Sequence, residues 1–146
     1  MVHALESVHG LLTPNGVLID IHPPALDATL EVACGGRLIH AGFLDETDGG
    51  IEYELAEKAL AEVVSRGLFL IEREARFTFA HYAPSLESLR QDLAATWKDA
   101  VIEDTVAARL EASLAECGPY AEVVLREYVR ITRLRRLEAS PHMVDG

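Results

Sequence analysis

The sequence predicts an α/β (or α+β) domain, a mixed sheet with an added β-hairpin and helices packed mainly on one face. Three observations point to it. Stretches with apolar residues at helical spacing alternate with stretches of period two, and Pro- or Gly-containing turns separate them. The pair Gly35-Gly36 joins two apolar runs as a tight hairpin turn would. Hydrophobic residues make up 49% of the chain and charged residues 25%, the balance of a packed globular protein rather than a disordered one. At 146 residues the chain fits one domain, large enough to bury roughly 70% of the surface its unfolded form exposes.

The elements follow in order. Ala4, Leu5, Val8, Leu11 and Leu12 recur at helical spacing and stop at the turn Thr13-Pro14-Asn15-Gly16. Val17 to His22 alternates, with Val17, Ile19 and Ile21 on an apolar side and Leu18, Asp20 and His22 on the other, until Pro23-Pro24 ends it. Thr29 to Cys34 and Arg37 to Leu44 form the hairpin. Asp48 is placed to cap a helix whose stripe runs through Ile51, Leu55, Ala59, Leu60, Val63 and Val64, with Gly67 as its stop. Leu68 to Tyr82 alternates again: Phe69, Ile71, Ala75, Phe77 and Phe79 share one face, and Glu72, Glu74, Arg76 and Thr78 the other. Pro84-Ser85 starts a helix carrying Leu86, Leu89, Leu93 and Trp97. Another helix carries Val106, Leu110 and Leu114 up to Cys117-Gly118-Pro119. A last strand spans Val123 to Arg133. Residues 1–137 thus read as a single domain, and the tail 138–146 lacks any pattern and is expected to fray.

Charge narrows the partners. With 13 Lys and Arg against 24 Asp and Glu, the formal net charge is -11, which disfavours attraction to nucleic acid or to anionic lipid. The opening Met1-Val2-His3-Ala4 has no basic segment leading into an apolar run, and no apolar stretch approaches the roughly 20 residues needed to span a bilayer, so neither export nor membrane insertion is expected. Cys34 and Cys117 stand far apart and make no C-x-x-C pair. They are expected to be buried thiols in a reducing compartment, which places the protein in the cytoplasm.

The order of amphipathic helix, Leu12-Thr13-Pro14-Asn15-Gly16 turn and apolar strand Val17-Leu18-Ile19-Asp20-Ile21 resembles the fourth-helix and fifth-strand unit of class I S-adenosylmethionine-dependent methyltransferases. That family commonly has Leu-x-Pro-Gly-Gly at the turn, so Asn15 departs from it. A capped helix, a strand opening on Gly67-Leu68-Phe69, an insertion of helices and the closing strand Val123-Val124-Leu125-Arg126-Glu127-Tyr128 match in order. The likeness is to the carboxyl-terminal half of the family and covers nearly the whole chain. It implies that the last strand lies between the other two and runs antiparallel to them. It also implies what is missing: the family holds its cofactor on a Gly-rich loop, and these residues contain no G-x-G-x-G or G-x-G-x-x-G. A methyltransferase-like protein that is non-catalytic alone, without a bound cofactor, is therefore expected. It would act through self-association or through a separate chain carrying the cofactor-binding half. Without the family's neighbouring strand, the edge of the strand Val17 to His22 would be covered by the hairpin or by a second copy in a homodimer.

Candidate chemistry is sparse. Asp20 and His22 share the polar side of a strand end, where an Asp-x-His pair can tune a general base or supply metal ligands, with His40 and His81 joining if the fold brings them close. Arg126, Tyr128 and Arg130 on the last strand face one way, either as ordinary cross-strand partners of Glu72, Glu74 and Arg76 or as the wall of a cleft in which arginine meets an anion. These six residues, Asp20, His22, His40, Arg126, Tyr128 and Arg130, are the ligand-binding candidates. They support an alternative function, a small-molecule binding protein or enzyme with a pocket on the polar sheet face, as in the nuclear transport factor-like cone fold, although the order of helices and strands argues against that fold. Asp48-Gly49-Gly50 fits a cap better than a phosphate site, because Asp45, Glu46 and Glu52 surround it. Arg133, Arg135 and Arg136 are expected to offset the acidic helices. No nucleophile motif and no metal site can be read.

Overall fold

The computed structural model describes residues 1–46 and 49–138. It is a mixed α/β protein with a mostly antiparallel sheet. In chain order the elements are α1 (Val2–Leu11), β1 (Val17–His22), β2 (Thr29–Cys34), β3 (Arg37–Phe43), β4 (Asp45–Glu46), α2 (Gly49–Ser65), β5 (Phe69–Ala83), α3 (Leu86–Thr96), β6 (Ala100–Val101), α4 (Asp104–Cys117) and β7 (Glu122–Arg136). Helices and long strands fall where the periodicity puts them. The two-residue strands β4 and β6, which pair with each other, are too short to leave a periodic signal. The cap expected from Asp48 and the tail from residue 139 onward lie outside the described residues.

Five strands form the main sheet, with β7 pairing with β1, β2 and β5, and β3 following β2. The last strand thus pairs with both β1 and β5, and its register with β1 is antiparallel from Val17 opposite Arg135 to His22 opposite Arg130. The hairpin turns at Gly35 and Gly36, whose φ angles of 55° and 79° lie in the left-handed region that glycine adopts without a Cβ clash. Its β2 strand pairs with β7 from Thr29 opposite Arg126 to Ala33 opposite Glu122. The hairpin therefore does not cover β1, contrary to one of the two expectations for that edge. Among the described residues β1 has β7 as its one strand partner. Asn15, which departs from the resembled turn, has a φ of 61°, a conformation Asn tolerates better than other residues with a Cβ.

The chain divides into two compact units, with β5 and β7 contributing to both. In the first (residues 1–24, 52–76 and 130 onward), α1 and α2 pack on one side of the sheet. Leu60 and Val63 of α2 meet Phe69 and Leu134, joined by Val2, Leu5 and Leu18. Leu18 and Leu134 are register partners, so the covered face is the one carrying Leu18, Asp20 and His22. The apolar side faces out instead: Ile19 is 48% and Ile21 59% exposed. Apolarity alone does not choose the buried face here: Asp20 and His22 lie on the covered side and hydrogen-bond one another.

In the second unit (residues 25–51 and 77–129), α3 and α4 close a core of Leu30, Val32, Leu89, Leu110, Val123 and Leu125. Ser85 caps α3, its hydroxyl accepting from the Ser88 amide at 3.1 Å. Helix α4 approaches β3 closely at Gly42, where an added Cβ would come within 2.6 Å of Val106 Cγ2. Gly42→Ala should therefore cost about 1–3 kcal/mol by overpacking. Urea unfolding of Gly42→Ala, Val106→Ala and the double variant checks this, with the double variant less destabilised than the two single losses summed.

The two cysteines are not free thiols. A disulfide joins Cys34, at the end of β2, to Cys117, at the end of α4, with Cα atoms 5.7 Å apart. Both are half-buried, and their separation of 83 residues explains why spacing alone does not reveal the bond.

Candidate functional site

Three of the six candidate residues gather in the first unit. His22 and Asp20 point to the covered face, and His22 Nδ1 lies 2.6 Å from Asp20 Oδ2. A carboxylate oxygen accepts, so Nδ1 is the donor of this bond and Nε2 is the other ring nitrogen. That Nε2 is buried and meets no partner among the described residues. Across the strand pair, Arg130 stands opposite His22 and the fully buried Thr132 opposite Asp20. The hydroxyl of Thr132 is likewise unpartnered. Arg130 is held by two carboxylates, with Nη2 2.5 Å from Glu74 and Nη1 3.5 Å from Glu57 of α2. It also lines a cavity of about 540 Å³ with Glu57, Leu60, Val64 and Ile71.

The other three lie in the second unit and are described apart from these. Arg126 donates from Nε to Glu31 at 3.1 Å, in a pair of which both members are largely buried, and reaches Thr78 Oγ1 at 3.5 Å. His40 is exposed on β3, its ring edge-on to Phe43 at 5.1 Å. Tyr128 is half-buried on β7. Both arginines proposed as anion hooks thus already meet carboxylates of their own unit, which leaves less of their charge for a ligand. Contrary to the expectation that they offset the acidic helices, Arg133 and Arg135 meet a strand carboxylate. Both reach Glu72 of β5, at 2.8 and 3.0 Å, while Arg136 donates to the Leu12 carbonyl.

A second constellation lies within the second unit: sequence reasoning offered His81 as a possible companion of Asp20 and His22 but did not foresee its own partners. His81 on β5 pairs with Asp92 on α3, Nε2 to Oδ2 at 2.9 Å. They border a cavity of about 280 Å³ that also takes in Glu127 of β7 and the aromatic rings of Phe79 and Trp97. Burial pushes the Glu127 carboxyl above its ordinary range, with His81 pulling the other way. Glu46 is pushed up too, first by burial and then by the charges of Glu127 and Asp27. The sequence carried one faint signal, a histidine on a strand with a carboxylate eleven residues on, across a predicted strand-to-helix turn.

Among the described residues no group of three or more His, Cys, Asp or Glu is arranged to hold a metal ion, and no helix is long and apolar enough to cross a membrane. Comparison with known proteins finds no family model that matches this chain, no similar curated protein and no similar solved structure.

Proposed function

We propose that the chain is a methyltransferase-like module that transfers no methyl group on its own and acts by association, with a second copy as its partner at β1. The observation that carries this is the outer edge of β1: it is without a strand partner among the described residues, and Ile19 and Ile21 beside it are exposed. An unpaired edge carrying exposed apolar residues is a template for adding another strand. The sequence of β1 is suited to its own copy. A two-fold axis through Ile19 sets Val17 against Ile21 twice and Ile19 against itself on one face. Moving the axis to Asp20 would oppose two carboxylates, which is unfavourable.

The lack of a Gly-rich loop in these residues supports the non-catalytic half of the reading. A cytoplasmic setting stays part of the proposal, although the Cys34–Cys117 bond removes one of its grounds. Disulfides are rare in the cytosol of mesophiles, so there the bond would be held reduced or kept from reductant.

Light scattering should give twice the 16.0 kDa chain mass. The double substitution Ile19→Lys/Ile21→Lys should raise the dissociation constant about a hundredfold, since several kcal/mol of apolar burial is lost at the new pairing. Because both side chains are exposed in the single chain, its melting temperature should hardly move. A monomer at every concentration would reject self-association and leave a separate chain bearing the cofactor half as the occupant. Calorimetry with S-adenosylmethionine should show no binding, and micromolar affinity would overturn the non-catalytic reading.

A further inference from the structure

The cavity of about 280 Å³ in the second unit has a definite chemical character. Its floor is apolar, formed by Leu89, Leu93 and Leu125, all buried in the core. Phe79 and Trp97 add two aromatic side chains to its lining. Its ionisable groups are unequal in number: two carboxylates, Asp92 and Glu127, against a single imidazole, His81. The imidazole is already engaged with Asp92 at 2.9 Å. The same His81 also acts on Glu127, so one imidazole serves both carboxylates, and Glu127 lies near enough to Glu46 for the two negative charges to oppose one another. An anion would meet this excess of like charge, and a neutral polar molecule would leave it uncompensated.

We infer that this cavity binds a small organic ammonium ion. The apolar body of the ligand rests on the leucine floor between Phe79 and Trp97, and its ammonium faces Glu127, with Asp92 as the second carboxylate. Each part answers a separate need. Aromatic rings attract a cation through their quadrupole, most strongly for tryptophan. A carboxylate in a partly desolvated setting makes a charge-assisted hydrogen bond to N–H that is about twice as strong as a neutral one. The volume, at the lower end for ligand sites, restricts the occupant to a small amine. His81 acts as a positioning residue that holds the Asp92 carboxylate at the rim.

Trp97 is the one tryptophan of the chain, so its fluorescence reports on this cavity without a label. The probes are 2-phenylethylammonium, the near-isosteric neutral 2-phenylethanol and the anion 3-phenylpropanoate, titrated into the full chain at constant ionic strength. Saturable change is expected with the ammonium, about tenfold weaker binding with the alcohol, and none with the carboxylate. Ammonium chloride at equal concentration should leave the emission unchanged. Glu127→Gln and Asp92→Asn should each weaken binding of the ammonium probe about tenfold; the melting temperature of the free protein should hold or rise in Glu127→Gln, which removes a like charge beside Glu46, and hardly move in Asp92→Asn, whose pair with His81 is exposed. Equal affinity for all three probes, no saturation by the ammonium, or full affinity in folded Glu127→Gln would each overturn the assignment. None of these outcomes bears on association at β1.

Discussion

Reducing the Cys34–Cys117 disulfide is expected to remove about 4 kcal/mol of stability. The bond closes a loop across a sequence separation of 83 residues. In the chain-entropy account, a closure of this size withholds about 4.5 kcal/mol of conformational freedom from the unfolded chain at 25 °C, and measured values fall somewhat below that figure. For a chain of this length the loss corresponds to a drop of roughly 10–15 °C in melting temperature. Thermal unfolding followed by circular dichroism with and without dithiothreitol measures it, and Cys34→Ser/Cys117→Ser should melt at the reduced protein's temperature and no longer respond to reductant. Thiol titration of the unreduced, unfolded protein should find no free thiol. Two titratable thiols, or a shift of only a degree or two, would show that the bond is absent in solution.

Phe69→Ala should cost about 3–5 kcal/mol, the range for deleting a fully buried aromatic side chain and leaving a cavity. Phe69 is 1% exposed and packs with Leu60, Val63 and Leu134. The ring of His9 also meets it edge-on at 5.3 Å. A fall in the urea midpoint at unchanged slope is the expected result. Phe77→Ala provides the contrast. It lies on the same strand and in the same alternating set, yet Phe77 is half exposed, so its loss should change stability by about 0.5 kcal/mol at most. Equal effects of the two substitutions would mean that the burial of β5 is not as described.

The difference between these two phenylalanines marks how far a repeating pattern can be read. Alternation along β5 assigns Phe69, Ile71, Phe77 and Phe79 to one face and Glu72, Glu74 and Thr78 to the other, but only Phe69 of the apolar set is buried. Where a face is covered depends on whether a helix lies over it, and α2 meets the start of that strand through Leu60 and Val63. In β1 the pattern pointed the other way. Val17, Ile19 and Ile21 make the more apolar side, but the side beneath α1 and α2 is that of Leu18 with Asp20 and His22, which share a 2.6 Å hydrogen bond on the covered face.

The candidate site was legible to the same degree. An Asp-x-His spacing on a strand places both side chains on one face, and the two do meet. Their neighbours were another matter: Glu57 on Arg130, Thr132 opposite Asp20, and Asp92 on His81 come from elements whose relation depends on strand register and helix placement.

By itself the sequence determined the run of helices and longer strands, the hairpin turning at Gly35-Gly36, the helix start at Pro84-Ser85 and the excess of negative charge, because each is set by interactions among residues a few positions apart or by composition. Tertiary structure alone decided that Cys34 bonds Cys117, that the hairpin pairs with β7 and leaves the edge of β1 open, and that Glu127, His81 and Asp92 border one cavity. Those outcomes join residues many positions apart, and what selects them is the best simultaneous burial and pairing of the chain, a property of its packing that no local pattern contains.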